Sequence, residues 1–159
     1  MLKSYSCVWS NSNAAEMVKF YKSVFKGTKV GSISYWGKNP MGVKEGSVLT
    51  AHITILGQKI MFLNGFVDMP FNESFSIIVP CKTQREIDYY WKKLTAGGGK
   101  PVQCGWLIDK FGLRWQIVPT AFDRWNTTKN KAKKEAMTTQ MWAMTKLDIK
   151  KLKSAFDNA

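Results

Sequence analysis

The feature that most constrains this chain is an order of elements that occurs twice: one strand, one helix, then three strands. Residues 5–10 alternate with period two, placing Tyr5, Cys7 and Trp9 on one face. Asn13 stands three positions before Glu16, a spacing that predicts a capped helix start. Ala14, Met17, Val18, Tyr21 and Phe25 follow at helical spacing, and Gly27 ends the segment. Strand-like segments come next at 29–35, 47–56 and 59–64, with a loop by composition at 37–42 and a hairpin turn at Leu56-Gly57-Gln58-Lys59. The order then restarts. Residues 75–80 read as a strand, Thr83 and Glu86 form a T-x-x-E capping box, and Ile87, Tyr90, Trp91 and Leu94 make an apolar stripe. Gly97-Gly98-Gly99 stops that helix, and strand-like segments at 102–104, 106–110 and 113–118 close the second copy.

Neither copy has enough strands to bury both of its faces, so the two are expected to share a core. The expected fold class is α+β: βαβββ modules at 1–66 and 67–119, followed by a C-terminal helical extension at 120–159. In the extension, Ala132, Ala136, Met137, Met141 and Met144 form one apolar stripe, read as packing onto the protein's own body or a second subunit. Asp148 starts a last helix through Ile149, Leu152 and Phe156.

Composition narrows the classes of function. A chain with 45% hydrophobic and 13% aromatic residues can fill a core. No apolar run approaches the roughly 18 residues that span a bilayer, and no apolar leader precedes the first strand, so neither membrane insertion nor secretion is expected. Cys7, Cys81 and Cys104 are odd in number and lack C-x-x-C spacing, which argues against a disulfide framework or thiolate metal site and for a cytoplasmic location. The net charge of +13 raises the question of a nucleic acid or other polyanion. The basic residues are spread along the chain, with one dense run from Lys129 to Lys134, and no nucleic-acid-binding signature accompanies them. Nucleic acid is therefore not the expected partner.

The run Cys104-Gly105-Trp106-Leu107-Ile108-Asp109-Lys110-Phe111-Gly112-Leu113-Arg114-Trp115-Gln116-Ile117-Val118-Pro119 resembles the PhnB-like branch, often labelled 3-demethylubiquinone-methyltransferase-like, of the vicinal-oxygen-chelate (glyoxalase and bleomycin-resistance) superfamily. Phe20-Tyr21 with Val24-Phe25, Gly57-Gln58, Phe71-Asn72-Glu73, Thr83-Gln84 with Asp88-Tyr89-Tyr90-Trp91, and Lys146-Leu147-Asp148-Ile149 agree with it. The resemblance implies two modules whose curved sheets form a cup, usually in a homodimer. In metal-using relatives the cup holds a divalent ion on His and Glu or Gln ligands from the first and last strands of both modules. Carried over, those positions fall on Cys7, on Asn64 or Leu63, near Ser76, and on Gln116.

The chain departs from that metal pattern. His52 is its only histidine, so a site with two His ligands cannot be built. Cys, Ser and Gln do not supply the donors that a hard or borderline divalent ion prefers. No metal and no cofactor are therefore expected. Alternation in 49–55 and 113–118 leaves His52, Thr54, Arg114 and Gln116 for the cup or solvent. His52 is the candidate catalytic group, because its side chain suits proton transfer near neutral pH. Cys7, Trp9, Thr54, Asn64, Ser76 and Gln116 are the candidate ligand-binding residues, Trp9 for its ability to stack on a planar molecule. The methyltransferase label finds no support: the glycine run follows a helix instead of opening one after a parallel strand. The expected function is metal-free binding of a small organic molecule in the cup by a homodimer. The alternatives are a divalent-metal-dependent glyoxalase- or dioxygenase-type enzyme and a basic, polyanion-binding protein.

Overall fold

The computed structural model describes residues 4–159. The chain divides into two compact units, residues 1–70 and 71–159. The first contains β1 (Ser6–Ser10), α1 (Ala14–Val24), β2 (Lys29–Tyr35), β3 (Val48–Ile55) and β4 (Gln58–Asn64). The second contains β5 (Ile77–Cys81), α2 (Gln84–Thr95), β6 (Lys100–Pro101), β7 (Trp106–Ile108) and β8 (Arg114–Pro119). It continues through α3 (Phe122–Asn126), α4 (Lys131–Trp142) and α5 (Ile149–Asp157). The sheets have matching orders, β1-β4-β3-β2 and β5-β8-β7-β6, each with one parallel pair at its start and antiparallel pairs beyond. The repeated βαβββ order expected from the sequence is the observed one.

Alternation decides which face of each sheet is covered. In the first unit Val8, Ala51, Ile53, Ile55, Ile60 and Phe62 are buried, as are Met17, Val18, Tyr21 and Val24 of α1. The Tyr21 and Phe62 rings stack with centroids 5.6 Å apart. Burial of each such side chain is worth about 1.5–3 kcal/mol, so this face carries the unit's stability. The second unit repeats the pattern with Ile77, Val79, Leu107, Trp115 and Ile117 against Ile87 and Leu94 of α2. Pro80 lies inside β5, which the sheet tolerates because β5 is an edge strand.

Three local expectations are corrected. Asn13 makes no side-chain cap to α1. Instead Asn64, whose strand end pairs with Ser10, accepts the amide of Ala14 at 2.9 Å. The parallel β1–β4 pair brings that carboxamide beneath the helix start, where a buried acceptor satisfies the first free N–H. Residues 102–104 are a turn instead of a strand: Cys104 and Gly105 both have positive φ, at 60° and 82°. Their amides donate to the carbonyls of Met144 and Thr145, both at 2.8 Å, so the segment bends to meet the C-terminal extension. The strand expected at 75–80 begins later, at Ile77. The Thr83 and Glu86 capping box and the Asp148 cap form as the sequence predicts. So does the Leu56-Gly57 turn, with φ of 49° and 84°.

The extension packs on its own cluster of Trp125, Met137, Met144, Leu147 and Leu152, with Met141, Ile149 and Phe156 partly buried beside it. Ala132, assigned to the same stripe, is exposed. The Gln84 carboxamide clamps the chain before α5, donating to the Leu147 carbonyl at 3.1 Å and accepting the Ile149 amide at 2.9 Å. No helix among the described residues is long and apolar enough to cross a membrane.

Candidate functional site

Each sheet has a second face that carries no helix-facing core, and the candidate residues other than Asn64, which faces the start of α1, fall on those two faces. On the first sheet, ladder register arranges them in rows, because residues directly opposite in neighbouring strands share a face. One row is Lys29, Thr54 and Lys59, so Thr54 stands between two lysine positions on this face. The next is His52, Met61 and Cys7. The third is Ser34, Thr50, Leu63 and Trp9, with the Ser34 and Thr50 hydroxyls 2.6 Å apart.

His52 is half-buried on β3. Its ring meets the Tyr5 ring edge-on, with centroids 5.5 Å apart, and the ammonium of Lys59 lies 4.4 Å above the Tyr5 ring. The imidazole Nδ1 is shielded from solvent and has no hydrogen-bond partner among the described residues. Burial first, and the positive charge of Lys59 second, lower the His52 pKa below its ordinary 6.5. The imidazole is therefore neutral at pH 7, with one nitrogen free to accept a proton. A single histidine makes this testable by proton NMR: the His52 titration should have its midpoint below 6.5 and move upward in Lys59→Ala. The sign for stability follows. The unfolded chain takes up its proton first, so the contribution of neutral His52 is complete above 6.5 and falls away as the pH drops towards the lower folded value. A midpoint above 6.5 would contradict this assignment.

Cys7 is exposed, and partial burial of its thiol raises the pKa above the ordinary 9.0. Trp9 is held by its own unit: its Nε1 donates to the Val67 carbonyl at 2.8 Å, and its ring lies where a Gly65 Cβ would stand. Asn64 is buried, with its carboxamide engaged by Ser10 Oγ at 2.5 Å, the Ala14 amide at 2.9 Å and the Val48 carbonyl at 2.9 Å. Its hydrogen bonds organise the ends of β1 and β3 and the start of α1.

On the second sheet Gln116 and Ser76 come together, with Gln116 Nε2 donating to Ser76 Oγ at 2.8 Å. Register places Gln116 between Ile78 and Trp106. Beside it Arg114 pairs with Glu73 at 2.9 Å and donates to the Gly112 carbonyl at 2.5 Å. The guanidinium holds the Glu73 carboxyl below its usual range. Position in the β7–β8 hairpin comes from Asp109, which is buried in the turn. Its Oδ1 accepts the amides of Phe111 and Leu113, and its Oδ2 accepts Trp115 Nε1 at 2.7 Å. Gln116 is thus presented by a rigid turn. Sequence reading placed Tyr5 on this face without singling it out for the site, and missed Met61 and Lys59. The alternation Lys59, Met61, Leu63 was the signal that could have found both.

Among the described residues no three His, Cys, Asp or Glu side chains are grouped to hold a metal ion. The positions that the resemblance points to, Cys7, Asn64 or Leu63, Ser76 and Gln116, would offer a thiol, a hydroxyl and at most two carboxamides. That set does not fit a hard divalent ion. Gly97-Gly98-Gly99 joins α2 to β6 and offers no phosphate-cradling turn after a parallel strand.

Two mixed four-stranded sheets, each in a βαβββ module, define the fold of the glyoxalase and bleomycin-resistance superfamily. Solved structures share it: the fosfomycin resistance protein FosX of Listeria monocytogenes, complexed with Mn(II) and sulfate, has 14% identity, a TM-score of 0.53, and coverage of 72% of this chain and 88% of that one. Within that superfamily the chain belongs to the 3-demethylubiquinone-9 3-methyltransferase family, whose model matches residues 2–118. A Bacillus cereus PhnB protein, described as a 3-demethylubiquinone-9 3-methyltransferase, is 32% identical with a TM-score of 0.65. The match covers 74% of this chain and 99% of that one. A Pseudomonas aeruginosa protein is similar at 16% identity and a TM-score of 0.62, over 75% of this chain and 98% of that one. No curated protein matches. The α3–α5 extension lies beyond the residues matched by the family model.

Proposed function

We propose that this chain binds a small organic anion through the open face of its first sheet and needs no divalent metal to do so. The observation that carries the reading is His52: a half-buried imidazole whose shielded Nδ1 has no partner, on a face that also presents Thr54 between two lysines. A buried polar atom without a partner costs about 1–3 kcal/mol, so a ligand that hydrogen-bonds to it gains that much over one that cannot. Lys29 and Lys59, on the same face, favour a carboxylate or phosphate on that ligand. Where a bound molecule carries an acidic C–H or O–H, His52 is the group able to accept the proton. Its free thiols suit a reducing compartment such as the cytoplasm. A second copy of the chain is the expected partner, since edge strand β2 is exposed along its length and displays Val30, Ile33 and Tyr35.

The test is a thermal-shift screen of organic acids and phosphate esters, run with a chelator present. A true ligand at a hundredfold excess over its Kd should stabilise the wild type by roughly 2.7 kcal/mol. His52→Ala and Thr54→Val should abolish most of that shift without lowering the unliganded Tm by a comparable amount. A ligand whose effect is unchanged in both variants binds elsewhere and defeats the reading.

A further inference from the structure

In the second unit one ion pair is unevenly built. Arg114 and Glu73 meet at 2.9 Å, but the arginine side chain is 15% exposed and the glutamate 70%. The guanidinium is also tied to its own turn, because Nη1 donates to the Gly112 carbonyl at 2.5 Å. Its Nε and Nη2 form the edge that matches the two oxygens of a carboxylate. Both reach the same Glu73 oxygen, at 3.3 and 2.9 Å. Glu73 thus fills with one oxygen an edge to which a free carboxylate could bring two. The glutamate sits on an arm, residues 72–75, that is exposed at every position. Release costs Glu73 little, since its carboxylate returns to water and such exposed pairs contribute little. Arg114 also has neighbours suited to the rest of a ligand. Gln116 lies two positions along β8 on the same face, about 7 Å away, with buried Trp115 between them on the other face. Gln116 is held by Ser76 at 2.8 Å, and directly opposite it stands Ile78, an isoleucine 55% exposed. A cationic edge and an open apolar surface therefore lie one small ring system apart.

We propose that Arg114 is a binding site for a carboxylate carried on a small apolar body, and that Glu73 is the chain's own occupant of that site, displaced when the ligand arrives. The residue already in place shows the charge and the group that the guanidinium accepts. The ligand's two oxygens take Nε and Nη2 in parallel, its body covers Ile78 beside Gln116, and Glu73 moves out to water on its arm. Only hydrogen bonds are exchanged, and no proton moves. The site lies wholly within the second unit and makes no use of His52, so it stands apart from the first-sheet reading and either can fail alone.

The experiment titrates naphthoate into the full chain, with neutral naphthamide as its control, and follows heat and the Arg114 Nε–H resonance. Glu73→Gln keeps the shape of the arm and removes the competing charge. It should bind naphthoate at least about threefold more tightly than the wild type, with no such gain for naphthamide. Arg114→Gln should lose naphthoate binding, and Arg114→Lys, which cannot form the fork, should keep only part of it. His52→Ala should bind as the wild type does. Because the resonance is read in the wild type and in Glu73→Gln, an Arg114 variant that folds poorly does not blur the result. Equal affinity in the wild type and Glu73→Gln, binding that leaves the Arg114 resonance unmoved, or loss in His52→Ala would place the probe elsewhere and overturn the site. So would failure of Glu73→Gln to bind naphthoate at millimolar concentration.

Discussion

Replacing Asp109 with alanine is expected to lower the free energy of unfolding of the second unit by about 4 kcal/mol, measured as a fall in urea midpoint at constant slope. The carboxylate is buried and serves three donors at once: the Phe111 amide at 2.9 Å, the Leu113 amide at 3.1 Å and Trp115 Nε1 at 2.7 Å. Each donor left unpaired costs about 1–3 kcal/mol, and the partly exposed Phe111 amide can regain water, so the Leu113 amide and the indole carry the loss and it sums to about 4 kcal/mol. Asparagine keeps one acceptor oxygen for the turn amides but turns an NH₂ group towards the indole. Asp109→Asn should therefore lose roughly half as much. The consequence reaches the candidate site, because this turn sets the register of Ile108 with Arg114 and of Trp106 with Gln116. A loss below about 1 kcal/mol in Asp109→Ala would show that the turn is held by something else.

Gly65→Ala is expected to destabilise the first unit by roughly 3 kcal/mol, a large effect for one methyl group. The added Cβ would lie 1.7 Å from Cζ2 and 2.3 Å from Cε2 of Trp9, and a rigid indole cannot yield by the end of a flexible chain. The ring must leave, breaking the Nε1 bond to the Val67 carbonyl. A double-mutant cycle checks the cause. With Trp9→Ala already in place the alanine at position 65 should cost little, giving a strongly non-additive pair. Additive losses would locate the damage in the Gly65 backbone instead.

These two residues also show how much could be read before any coordinates. Hydrophobic alternation and helix caps placed nearly every element, because those signals are local and the βαβββ order has few compact solutions. The errors came where a distant segment supplied the hydrogen bond. Asn13 has the sequence of a cap, but Asn64 from β4 takes the helix amide. Residues 102–104 have strand composition, but the amides of Cys104 and the following Gly105 answer carbonyls at Met144 and Thr145. The candidate site was legible in part for the same reason. His52, Thr54 and Gln116 were found by period-two alternation on two strands, and Ser76 came from the family resemblance. Register could not be read from one strand at a time, so the alignment of His52 with Met61 and Cys7 emerged only from the ladder. Trp9 was singled out by residue type and Asn64 by the family resemblance, whereas the structure shows each engaged in holding its own unit together.

We propose that this chain keeps the superfamily's fold without a resident divalent ion, because thiol, hydroxyl and carboxamide groups suit such an ion poorly. Elemental analysis of protein purified without chelator and dialysed exhaustively tests it most directly. No stoichiometric manganese, iron, nickel or zinc is expected, and no change in that result for Gln116→Ala. A divalent ion retained at one per chain and lost in Gln116→Ala would contradict it.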